Sequence, residues 1–181
     1  MKRNVFLIGA LAAACSLALP VTAASPAAQR RDPQVQQAMA LLKEKTAALG
    51  APSLQGVAIV EGEAVPVLLF GTTAINNNEQ LVDAVRAETG GVMTATLFAR
   101  KGDDFIRVAT NVPSPTDPRH RALGTRLDPK GPVITQIRNG DVFYGLVSIL
   151  GSSYITGYEP IQSSQGRVIG IYYVGYKAPE R

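Results

Sequence analysis

In DFIRVAT and SSYITGYEPI, an arginine and a row of hydroxyls stand where a strand would otherwise hold aliphatic side chains. Tyr154, Thr156 and Tyr158 lie at i, i+2 and i+4, so on a strand all three face one side, with Ile155 and Ile161 on the other. By the same alternation Phe105, Arg107 and Ala109 share a face, opposite Ile106 and Val108. If the two rows line the same side, one guanidinium and several hydroxyls converge. That set suits a small carboxylate, because the guanidinium fork matches two oxygens and hydroxyls fill the remaining lone pairs. Arg107 would anchor the anionic group, and Tyr154, Thr156 and Tyr158 would orient it. Phe98, Phe143 and Tyr144 would supply apolar walls, Tyr144 closing one side. A purely structural reading stands beside this one. Tyrosines fit a half-buried pleat, and Arg107 would then cover a solvent face or pair with Asp103 or Asp104.

Size bounds the affinity. A ligand of about four heavy atoms gains at most roughly 6 kcal/mol, which is a dissociation constant of about tens of micromolar or weaker. Catalysis has less support. His120 is the only histidine and sits between Arg119 and Arg121 in a Pro-rich loop, a poor place for an oriented base. Ser152-Ser153 lacks a nucleophile elbow. No P-loop, dinucleotide glycine motif, HExxH or CxxC is present. The acidic residues do not cluster in sequence, and Asp103-Asp104 reads as turn chemistry, without the further ligands of a calcium loop. No enzyme activity, cofactor or metal is expected.

The elements that must position these residues follow from periodicity and breakers. Asp32-Pro33 opens a long helix whose Val35, Met39, Leu42 and Leu49 form one apolar stripe, ended by Gly50 and Pro52. Residues 57–60 and 65–70 are short strands around the turn EGEA, with Pro66 marking the second as an edge or irregular strand. Asn78 caps a helix over 79–89; the asparagines 76–78 read as turn and cap chemistry. Strands follow at 94–100 and 105–111, then a Pro-rich loop over 112–127. A short helix starts at Gly131-Pro132, with Val133, Ile134 and Ile137 inward, and closes at Asn139-Gly140. Strands at about 142–150, 153–161 and 167–176 complete the chain. The predicted fold is α+β: one antiparallel sheet with a long N-terminal helix and flanking short helices.

The chain starts with Lys2 and Arg3, an apolar run from Val5 to Leu19, Pro20 and then VTAAS. This is the order of a secretory signal peptide over 1–24, cleaved after Ala23 or Ala24. The run is shorter than the roughly 20 residues of a membrane span, so an N-terminal anchor is the weaker alternative. Lipidation at Cys15, preceded by three alanines, is another. SPAAQRR at 25–31 reads as a disordered lead-in, and a single domain occupies 32–181. Losing Lys2 and Arg3 lowers the basic residues from 18 to 16 against 14 acids, so the net charge falls from +4 to +2. That is too mild to imply a nucleic acid or an anionic membrane as partner. The mature protein is expected to be periplasmic or secreted, with no cysteine left for disulfides.

FIRVATNV, GTRLDP, FYG, ILGSSYITGYEPI and GRVIGIYYVGY together resemble the Cache sensor family, specifically the extracellular type in which Cache types 3 and 2 are fused. The likeness covers roughly residues 35–177. It implies a PAS-like fold with a long N-terminal helix and a small-molecule pocket on the concave face of the sheet. Most relatives are input modules of chemoreceptors or histidine kinases. With no second apolar span and no HAMP-type helix in the sequence, this chain is expected to be a free-standing module that feeds signal transduction or chemotaxis through a membrane partner. The alternative is a ligand-independent module that docks on such a receptor or kinase. The helix 33–49 would then be a docking or homodimer face, unless it is buried against its own sheet.

Overall fold

The computed structural model describes residues 31–179. The expected signal peptide, and all of the lead-in except Arg31, lie outside the described residues. Asp32 caps helix α1 (Pro33–Ala47) as predicted, accepting from the backbone nitrogens of Gln34 and Val35 at 2.9 and 3.2 Å. Pro33 fills the first helical position, where a missing N–H costs nothing. One stripe of α1, Val35, Ala38, Met39, Leu42 and Thr46, is fully buried. It packs on the chain's own sheet, and the Thr46 hydroxyl donates to the Tyr172 hydroxyl at 3.2 Å.

The chain then forms β1 (Pro52–Val60), β2 (Glu63–Phe70), β3 (Thr73–Ala74), α2 (Gln80–Glu88), β4 (Thr94–Lys101) and β5 (Asp104–Thr110). It continues with α3 (Pro132–Arg138), β6 (Phe143–Ile149), β7 (Ser152–Gln162) and β8 (Val168–Lys177). The predicted single sheet is two. β1-β2-β3 form a small sheet of their own, and the large one has the order β5-β4-β8-β7-β6, antiparallel at every pairing. Val60, Val65, Leu68 and Phe70 of the small sheet pack in one core with Leu97, Ala99 and Ile106 of the large one. Adding strands to a sheet edge or laying them across its face buries similar apolar side chains, and alternation does not distinguish the two. Pro66 is tolerated in the middle strand because β3 pairs only with Leu69 and Phe70. Further along, the Asn76 side chain takes the missing neighbour's place, accepting from Leu68 N and donating to Pro66 O.

The large sheet separates two cores. One face is covered by α1, α2 and the small sheet. On the other, Val133, Ile134 and Ile137 of α3, with Val112, Ala122 and Leu127 of the loop 112–127, cover Phe98, Phe105, Phe143, Tyr158 and Tyr173. The loop is held along the outer edge of β5: Arg107 N donates to Thr125 O, Gly124 N to Arg107 O and Leu127 N to Phe105 O, each at 2.9 Å. An otherwise open strand edge is thereby covered. The result is an α+β fold consistent with the PAS-like expectation.

A buried arginine as candidate functional site

The face under α3 and the loop 112–127 carries the polar residues. Phe98 of β4 pairs with Arg107 of β5, and the Arg107 guanidinium lies over the Phe98 ring, 4.9 Å from its centroid. The arginine is only 3% exposed. Its Nη1 donates to Thr125 Oγ1 at 2.7 Å, and its buried Nε has no hydrogen-bond partner. Among the described residues Arg107 makes no ion pair. Asp104 is bound by Arg126 at 2.7 Å, and Asp103 lies 3.8 Å from Arg100. Burial lowers the guanidinium's pKa, with Tyr158, Tyr173 and Tyr154 acting in the opposite sense. A guanidinium nonetheless stays charged at neutral pH. The side chain is therefore a buried cation without a protein anion, a costly arrangement.

Beside it is a cavity of about 360 Å³, lined by Arg107, Tyr158, the segment around 126–133 and the residues of β6 and its turn, 146–150. Tyr158 is 1% exposed, and its ring packs on Tyr173 with centroids 4.9 Å apart. Burial pushes the Tyr158 phenol far above its ordinary range, Arg107 opposing, so it is a neutral hydroxyl. No hydrogen bond occupies that hydroxyl among the described residues. Tyr173 is likewise raised, chiefly by burial, and its oxygen lies 3.1 Å from Thr94 Oγ1.

The structure places Arg107, Phe98 and Tyr158 on one side of the large sheet, the arrangement that the sequence reading left conditional; Arg107 and Tyr158 line the cavity, and Phe98 lies under the guanidinium. Tyr154 packs in the same core, but away from the cavity wall. Thr156 is buried, and its hydroxyl donates to Gly145 O at 2.8 Å, so the donor is used by the neighbouring strand. Tyr144 does not close the pocket. It packs in the opposite core under α1, where its hydroxyl donates to Glu159 Oε1 at 2.6 Å. Phe143, one residue earlier, takes the cavity side of the sheet. Ala109 is a further correction. The ladder slips between Leu97 and Phe98, leaving Val108 as an extra residue, and Ala109 joins Ile106 and Val108 in the core under α1.

Tyr173 escaped the sequence reading although the alternation of Ile171, Tyr173 and Gly175 along β8 carries the same signal as Tyr158 in β7. Thr125 and the wall at 126–133 had no such signal, because a loop meets the sheet there through contacts distant in sequence. Among the described residues no group of His, Cys, Asp and Glu could hold a metal ion, and no helix is long and apolar enough to cross a membrane. His120 is exposed.

A search of curated proteins finds no match to the chain. The sequence model of the Cache 3/Cache 2 fusion domain matches residues 26–180. Cache domains are sensor and ligand-binding modules of signalling systems, typically extracellular or periplasmic. With the resembling motifs, the α+β fold and a match over nearly the whole chain in agreement, this chain belongs to the Cache 3/Cache 2 fusion domain family.

Proposed function

We propose that this protein is an exported sensor module that binds a small organic carboxylate at Arg107 and passes the occupancy of that site to a membrane signalling partner. One observation carries the reading: a guanidinium 3% exposed, with no carboxylate partner among the described residues, beside a cavity. A ligand carboxylate would provide the missing counter-charge, and the Tyr158 hydroxyl would donate to it. The site works by binding and not by turnover: it offers a cation and a neutral phenol, and no nucleophile paired with a base.

The test is thermal denaturation of the full chain with a panel of carboxylic acids. At about one hundred times the dissociation constant a ligand adds about 2.7 kcal/mol, a rise of about 5–10 °C for a domain of this size. The rise should vanish in Arg107→Met. A rise of equal size in that variant would remove Arg107 from the site.

A second reading, ligand-independent docking on a membrane receptor or kinase, is favoured by Val57 and Ile59, which are 66% and 62% exposed on the edge strand β1. Capture of such a receptor by the wild-type chain but not by Ile59→Asp, with no response to any acid, would select it.

A further inference from the structure

Resting on the carboxylate reading above, we infer that the ligand is a monocarboxylic acid with an apolar body of about six to ten carbons. The sequence alone led to a short acid; the cavity is too large for one. A dry apolar cavity of about 150 Å³ holds a benzene ring, and this one is about 360 Å³. An acid of about four heavy atoms would touch Arg107 and leave most of the walls in contact with water.

The walls also select. Beyond Arg107 and Tyr158 they are largely apolar: Leu127, Pro132, Val133, Val147, Ile149 and Leu150. Leu127, Val133 and Ile149 are buried. The other cation of the lining, Arg126, is already bound to Asp104 and Glu63 at 2.7 and 3.1 Å. Asp128, the one acid of the lining, is exposed. A second carboxylate on the ligand would thus find no free cation and one anion. An ammonium group would find its only carboxylate at an exposed position, where an ion pair adds little. An apolar chain would instead displace water from the aliphatic wall, tightening binding by about fourfold for each methylene buried.

Titration calorimetry on the full chain tests this with acetate, butyrate, hexanoate, octanoate, 3-phenylpropionate, phenylalanine and hexanedioate. Affinity is expected to rise by about fourfold per methylene from butyrate to octanoate. 3-Phenylpropionate is expected to bind at least about tenfold tighter than phenylalanine, and octanoate at least about tenfold tighter than hexanedioate. Val147→Phe, which narrows the wall with a side chain that strands tolerate, should lower the preference for octanoate over butyrate by about tenfold. Arg107→Met should lose octanoate binding; retention would mean adsorption to an apolar surface and would overturn the inference. A flat series, tightest binding of acetate, or a preference for phenylalanine or hexanedioate would overturn the apolar body and leave the carboxylate reading standing. Binding of none of these acids to the folded chain would remove both.

Discussion

Arg107 imposes a cost that its own contacts do not offset. One hydrogen bond to Thr125 and the face of Phe98 are its visible compensation, and Nε has none. Methionine at this position would keep the packing on Phe98 and remove the desolvated charge. Thr125 would remain satisfied through its own bond to Ala122 O at 2.7 Å. Arg107→Met should therefore melt no lower than the wild type in the absence of ligand, because replacing a buried charge by an apolar side chain is often neutral or stabilising. A lower melting temperature in thermal scans would show that the arginine stabilises the fold itself. Tyr158→Phe should weaken acid binding by about tenfold or more, the loss of one hydrogen bond to a charged group, with little change in stability because that hydroxyl holds no partner. Unchanged calorimetric affinity would exclude the phenol from recognition. At these positions the sequence was informative to the extent that alternation is. It grouped Tyr154, Thr156 and Tyr158 on one face of their strand and Phe105 with Arg107 on one face of theirs, but whether the two faces coincide depends on strand pairing, which alternation does not encode. It misplaced Tyr144, which was chosen for its residue type, when its parity with Phe143 already put the two on opposite faces. Thr156 was on the correct face, but a hydroxyl bonded to a neighbouring carbonyl is indistinguishable in sequence from a free one.

Helix α1 reaches the sheet closely because Gly157 has no side chain. A Cβ there would lie 2.6 Å from Cε1 of Tyr144 and 3.0 Å from Cγ1 of Val35, so both would have to move. Gly157→Ala should cost about 1–3 kcal/mol by overpacking, seen as a lower urea midpoint with an unchanged slope. Its response to octanoate should persist, since the obstruction is on the face away from Arg107. An unchanged midpoint would mean that α1 is not held as closely as the structure shows. Elements were the most legible part of the chain. Asp32-Pro33, Gly131-Pro132 and the run from Phe143 to Lys177 each carry a local cap, breaker or alternation that acts within a few residues. The bulge at Val108 and the separation of β1-β2-β3 from the large sheet were not legible. Both depend on which partner a strand finds across the fold, and no local signal encodes the partner.

The two faces of the large sheet divide the work of the molecule. One carries the arginine and the cavity; the other holds α1 in place through a set of polar contacts. Tyr176 donates to Asp32 Oδ2 at 2.9 Å, the Arg31 guanidinium lies 4.7 Å from the Tyr144 ring centroid, and Lys43 meets Glu159 Oε2 at 2.7 Å. Glu159 joins most of these groups, since Tyr144 donates to its other oxygen. Burial alone would raise its pKa, but the hydrogen bonds from Lys43 and Tyr144, with the charges of Lys43 and Arg31, hold it below the ordinary carboxylate value. A carboxylate depressed in the folded state contributes stability above its unfolded pKa, and that contribution is lost as pH falls from there through the folded value. Acid should therefore loosen the attachment of α1 below about pH 4.5. Glu159→Gln should be less stable than the wild type near neutral pH, and the difference should shrink as pH falls below about 4.5. Urea midpoints across that fall in pH measure it. Parallel curves for the two proteins would mean that Glu159 is not the group through which acid acts on α1.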